Sequence, residues 1–171
     1  MTAKDLTVGE YNPYYQTYID KANALAIPEG LSANSKSVVA FFESIPKDKL
    51  EYRYAEGKWT IKELLHHIID TERIFAYRAL RVARKDKTPL PGFDENEYVL
   101  PAKSNDRSIE SLLSEYKAVR QATLALFETF TNEMLIEIGT ASNSPISARA
   151  IGFIITGHEN HHCDVVKERY L

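Results

Sequence analysis

Cysteine is nearly absent: Cys163 is the only one in 171 residues. It cannot close an internal disulfide, so packing, aided or not by a metal, has to hold the fold, as suits a reducing compartment. Also missing is any run of about 18 apolar residues, the minimum for a membrane-spanning helix. The start, Met1-Thr2-Ala3-Lys4-Asp5, lacks the apolar core of a signal peptide. A soluble, cytoplasmic protein is expected. Nor is there an excess of one charge: 21 Lys and Arg against 24 Asp and Glu give a net −3, no electrostatic footing for nucleic acid. Internal repeats and low-complexity tracts are absent, and no β alternation competes with the helical patterns. The length suits one domain spanning residues 1–171 with a full core.

What is present is helical periodicity. One segment runs from about Ser32 to Ile45, with Val38, Val39, Phe41, Phe42 and Ile45 on its apolar face and Pro46 stopping it. A second opens on a capping box, Thr60 and Glu63 behind Trp59, and continues through Leu64, Leu65, Ile68 and Phe75 to about Arg84. A third spans Ser108 to Phe130, and a fourth begins near Ser147 and carries Ile151, Ile154, Ile155, Val165 and Val166. A shorter amphipathic stretch, Tyr14 to Leu25, suggests an extra N-terminal helix. Between the second and third segments, Asp86 to Arg107 holds Pro89, Pro91, Gly92 and Pro101, which should break any regular element. A connection this long is usually functional or mobile. Phe93, Asp94, Glu95, Glu97 and Tyr98 could cover a site at one bundle end or simply form a surface connection. The expected architecture is an all-α four-helix bundle.

The chemistry concentrates in His158-Glu159-Asn160-His161-His162. At about 100° per residue, His158 and His162 lie about 40° apart on the apolar stripe, with His161 at its edge and Asn160 nearly opposite. Burying two imidazoles among isoleucines is costly unless something uses their lone pairs, and a divalent metal does so. The remaining histidines, His66 and His67, share the second helix. His67 falls about 100° from Ile68, at the border of the apolar stripe, and His66 about 160° away, on the solvent side, so His67 is the better third ligand. Asp70, one turn on, can hydrogen-bond His66. By the same wheel Glu159 should be partly exposed, and Cys163 points about 140° from His158, as a small buried residue would.

Read literally, residues 158–162 match H-E-x-x-H, in which the glutamate is the general base of a metalloprotease. Only nine residues follow His162, however, leaving no room for the downstream third ligand. The pairs Glu63-x-x-His66 and Glu159-x-x-His162 also evoke a di-iron bundle, but Glu63 and His66 fall on the polar side of their helix, and Glu115 and Glu128 lie off the third helix's stripe. The carboxylate count fails.

A third reading comes with a resemblance. Trp59-Thr60-Ile61-Lys62-Glu63-Leu64-Leu65-His66-His67-Ile68-Ile69-Asp70, followed by Glu72-Arg73, is similar to the W-S/T-x-x-E-x-x-x-H-x-x-D stretch of DinB-like proteins. Gly157-His158-Glu159-Asn160-His161-His162 resembles that family's G-H-E-x-H-H, in the same order along the chain. The resemblance covers the chain from about residue 31 and leaves the first thirty residues as an extension. It implies a four-helix bundle with a long connection between the second and third helices, a three-histidine metal site at His67, His158 and His162, and a tendency to homodimerise. It implies a metal-dependent hydrolase or a transferase using a low-molecular-weight thiol, acting on a small molecule; the alternative is a non-catalytic helical interaction protein with a structural metal. Zinc or nickel suits all-imidazole donors, with iron also open. Glu159, beside a ligand, is the candidate catalytic proton shuttle.

Overall fold

The computed structural model describes residues 1–171. Helices α1 (Gln16–Ile19), α2 (Ile27–Glu43), α3 (Ile61–Ala83), α4 (Glu95–Ala102), α5 (Ile109–Phe127), α6 (Asn132–Leu135) and α7 (Ala148–Arg169) are joined by one hairpin, β1 (Ile138–Ala141) with β2 (Ser144–Ser147). Four of them, α2, α3, α5 and α7, make the expected bundle. Its neighbour pairs are α3 with α7, α3 with α5, α2 with α7 and α2 with α5. Consecutive bundle helices α2 and α3 therefore stand at opposite corners, as do α5 and α7.

Local chemistry sets the helix starts. Thr60 accepts from the Glu63 amide at 3.1 Å while the Glu63 carboxylate accepts from the Thr60 amide at 2.7 Å, the reciprocal bonds of the capping box. Ser108 caps α5 and Ser147 caps α7 with the single bond alone, accepting from the Ser111 and Ala150 amides. Helix α2 begins five residues earlier than the periodicity indicates, because Pro28 sits in its first turn, where its missing N–H costs nothing.

Three expectations need correction. The extra N-terminal helix shrinks to the four residues of α1, preceded by a 3-10 turn at Pro13–Tyr15. The Asp86–Arg107 connection is not without regular structure: α4 forms inside it, capped by Asp94, and Pro101 is tolerated near its end. A hairpin also exists where no β pattern was evident. Its strands have four residues each, and Ser142 and Asn143 both take positive φ (51° and 60°), the geometry of a two-residue I′-type turn.

The interior is two apolar clusters divided by a polar layer. Leu31, Phe75, Phe127, Ile151 and Ile154 belong to one cluster, and Val38, Phe42, Leu65, Ile68 and Leu112 to the other. At the heights between them sit Asn34, Glu72, Arg120 and Glu159, one from each bundle helix and all buried. No helix is long and apolar enough to cross a membrane.

Candidate metal centre

Helices α3 and α7 bring His67, His158 and His162 to one point. Nε2 of His158 lies 3.0 Å from Nε2 of His67 and 3.0 Å from Nε2 of His162, and the three donor atoms all fall within 4.8 Å of one another. Each neutral imidazole has one N–H and one lone pair, so three ring nitrogens facing each other cannot all be satisfied by protein alone. With metal–nitrogen bonds of about 2.0–2.1 Å, adjacent donors are spaced roughly 2.9–3.4 Å apart, so the two 3.0 Å spacings fit a shared cation.

Burial keeps these rings neutral. It pulls the His67 pKa down to about 4, and His158 and His162 well below the usual histidine value, with the mutual repulsion of the cluster adding to the effect at the latter two. All three lone pairs are thus free to ligate at neutral pH. The outer face of the cluster is sparsely tied: Thr71 Oγ1 lies 3.4 Å from His67 Nδ1, and His162 Nδ1 is buried with no partner.

The cluster forms part of the wall of a cavity of about 380 Å³. Along α3 the lining residues His67, Thr71, Phe75 and Arg78 share one face, since their spacings of four, eight and eleven return within about 80° on the wheel. Trp59 packs against His67 with ring centroids 4.8 Å apart and planes tilted by 49°, and Tyr18 meets His158 edge-on at 5.2 Å. Tyr14 and Tyr15 complete a wall built from the N-terminal extension, while Phe93 and Glu95 close the cavity from the long connection. That connection therefore covers the site, one of the two roles open to it from sequence. The extension can lie this close because position 157 is glycine: a Cβ there would stand 1.7 Å from the Tyr18 carbonyl oxygen.

Glu159 is placed differently from the wheel's expectation. It is 1 % exposed, because its side chain points into the bundle interior towards α2 and α5. Its carboxylate accepts from Tyr116 Oη (2.7 Å), Arg120 Nη2 (2.7 Å), Arg120 Nη1 (3.2 Å) and Asn34 Nδ2 (2.9 Å). Four lone-pair sites meet four donors, so none remains to take a proton from a substrate. Arg120 in turn spends its other N–H groups on Glu72 and the Leu31 carbonyl. Glu159 belongs to the polar layer and lines no part of the cavity.

His66 and Glu63 are also buried, not solvent-facing, because the connection folds back over that side of α3. His66 Nδ1 meets Ser104 Oγ at 2.9 Å, and its Nε2 is 4.0 Å from Asp70. Both Glu63 oxygens are occupied by Thr60, Arg53 and Asn105, so no paired-carboxylate site forms. His161 packs against Tyr18 outside the cluster. Cys163 is buried, and burial pushes its thiol up to about 12, which makes it a packing residue. The wheel did not single out Arg78 or the tyrosines of the extension. For Arg78 the signal was there, eleven residues from His67 on the same face; for the tyrosines there was none.

A family model described as the DinB superfamily matches residues 31–166. The chain belongs to the DinB superfamily. Among its relatives, "Putative metal-dependent hydrolase" of Oceanobacillus iheyensis is 27% identical over 126 residues, 72% of either chain. A relative of the same name from Geobacillus thermodenitrificans is 26% identical over 119 residues, 67% of this chain and 66% of that one. The DinB fold extends to solved structures. YfiT from Bacillus subtilis, described as a probable metal-dependent hydrolase with an unusual four-helix bundle topology, superposes with a TM-score of 0.70 at 19% identity, covering 94% of this chain and 92% of its own. The DinB-like protein YjoA from Bacillus subtilis gives 0.60 at 21% identity, covering 83% and 87%. At these identities the likeness is one of fold, and it includes the N-terminal extension in the first case.

Proposed function

We propose that this protein is a metal-dependent hydrolase of small molecules, with His67, His158 and His162 as the metal ligands. The observation that carries the reading is the convergence of three neutral imidazoles on an open cavity of about 380 Å³, since a structural site would be closed on all sides. The names of the two curated relatives point the same way. A divalent ion held there, zinc or nickel by its donor set, would supply Lewis acidity, polarising the substrate and easing loss of a proton from water or a thiol. The rest falls to the chain itself. Thr71 orients His67, Trp59 and Tyr18 fix the rings of His67 and His158, and the aromatic wall excludes bulk water while holding the apolar part of a substrate. A reducing compartment such as the cytoplasm suits the single buried thiol.

A transferase using a low-molecular-weight thiol is the second reading, favoured by one feature. Glu95 is the only carboxylate on the cavity wall, and Glu159 has no free lone pair, so the site has little to serve as a general base. A thiol needs less help than water, because its own pKa is already near 8.5.

The test is metal analysis and turnover together. Wild type is expected to bind one divalent ion per chain and to hydrolyse esters or amides without added thiol. His67→Ala, His158→Ala and His162→Ala should each lose the ion. Metal retained in all three variants refutes the ligand assignment, and turnover only with thiol replaces the hydrolase with the transferase.

A further inference from the structure

The cavity above the histidines holds a second polar feature that the metal reading does not use. Arg78 is 3 % exposed, yet no carboxylate lies within 4.0 Å of its guanidinium; the nearby ion pairs all involve other residues. Its Nη2 donates to the Pro91 carbonyl (2.8 Å) and to Ser142 Oγ (3.2 Å). The Tyr15 hydroxyl is beside it, and the rings of Phe75 and Phe93 lie 5.3 and 5.9 Å from its central carbon. That hydroxyl, like the Pro91 carbonyl and Ser142, is a neutral partner, so none of the groups bonded to the guanidinium carries a negative charge. Arginine buried in a protein is ordinarily paired, because an uncompensated charge away from water is costly. Here the charge is left uncompensated on the wall of a cavity. Around it are neutral groups able to donate: Ser142, Ser144, and Asn12, whose amide bonds to Ser144 Oγ at 2.8 Å. Glu95, on the same wall, stays beyond salt-bridge distance.

We infer that Arg78, with Ser142 of the hairpin turn, anchors the anionic group of a small, partly apolar substrate whose body lies along the aromatic wall towards the three histidines. Arg78 is eleven residues from His67 on one face of α3, an axial rise of about 16 Å, so the two ends of the cavity are chemically distinct. The guanidinium offers planar, paired N–H donors suited to a carboxylate or a phosphate monoester. The inference deepens the proposed function by naming its substrate class, and it rests on that reading only for the direction in which the substrate points.

Trp59, the only tryptophan, lines the cavity and reports on occupancy by its fluorescence, with or without a metal. The full-length protein would be titrated, as purified and again after EDTA treatment, with 4-phenylbutanoate, 2-phenylethyl phosphate and the neutral 4-phenylbutanamide. The expected result is that at least one of the two anions binds about tenfold or more tightly than the amide in both preparations, and the tighter one identifies the anion. Arg78→Met should abolish the preference, and Arg78→Lys should restore part of it. Equal affinity of acid, phosphate and amide in wild type overturns the proposal, as does absence of binding by all three. So does a preference that survives in Arg78→Met, or one that vanishes with EDTA and is therefore due to the metal. Because the EDTA-treated arm needs no ion, failure of the metal assignment leaves this test intact, and a folding defect in the variant leaves the wild-type comparison standing.

Discussion

Replacing Glu159 by alanine separates a residue that performs chemistry from one that holds the bundle together. In the structure the variant would remove four accepted hydrogen bonds at once. It would leave Asn34, the Tyr116 hydroxyl and two N–H groups of Arg120 facing a cavity that water does not reach, since Arg120 is 0 % exposed. Arg120 keeps Glu72, bonded at 2.9 and 2.8 Å, so its charge is not orphaned. Breaking one partner of a buried ion pair typically costs about 3–5 kcal/mol, and the surviving Glu72 bridge places this variant near the lower figure. At about 2–4 °C per kcal/mol for a chain of this length, the melting temperature should fall by roughly 6–12 °C.

Arg120→Met should cost more, because it strands two buried carboxylates, whereas Glu159→Ala leaves the guanidinium paired with Glu72. The assay is thermal unfolding by circular dichroism beside metal analysis of the folded protein. Stability should drop while metal content at 25 °C stays unchanged, since no Nε2 of the histidine cluster touches Glu159. A Glu159→Ala protein that melts within about 2 °C of wild type but loses turnover would refute this reasoning and return Glu159 to the role of proton shuttle.

Two further perturbations probe how the extension is fastened over the site. Burial pushes the Glu10 carboxyl up, but hydrogen bonds from Arg149, Thr7 and Ser147 outweigh it and hold the pKa down at about 2, against an ordinary 4.5. A depressed carboxylate contributes stability that is fully present above its unfolded pKa and is lost as pH falls towards the folded one. Between pH 5 and pH 2, wild type should therefore lose on the order of 3 kcal/mol more than Glu10→Gln, as read by urea unfolding at several pH values; parallel pH profiles would refute the assignment. Gly157→Ala places a methyl group against the Tyr18 carbonyl, 1.7 Å from its oxygen, and should lift the extension off α7. Faster proteolysis within residues 1–26 and a lower melting temperature are expected, whereas an unchanged digestion pattern would mean the chain accommodates the methyl without opening.

Residues differ in how plainly the sequence announces them, and the reason is how local their signal is. The caps at Thr60, Ser108 and Ser147 are written within four residues, and the helices start where they stand. The convergence of His158 with His162 is likewise one helical turn. Glu159 misleads because the wheel is centred on His158: within about 40° of Glu159 lie Ile155, Cys163 and Val166, all buried, so its side chain points into the bundle at Asn34, Tyr116 and Arg120. His66 and Glu63 mislead for a different reason, lying under a connection whose path no periodicity encodes. The hairpin escapes notice since four-residue strands carry too few alternations to register and Ser-Asn is a weaker turn signal than Asn-Gly.

Arg78 lies between these cases. Its position is local information: it shares the face of α3 that carries His67, and any wheel drawn from His67 reaches it three turns later. Its meaning is not. An arginine on a helix is ordinarily a solvated charge or one half of an ion pair, and only the tertiary arrangement shows this one buried by a proline-rich connection and a serine turn that bring no carboxylate within salt-bridge distance. The surrounding elements come from chain positions some 13 to 64 residues away, so the missing counter-charge is a property of the folded cavity. On the proposed reading, that property is what gives the cavity beside the three clustered histidines a preference for what it binds.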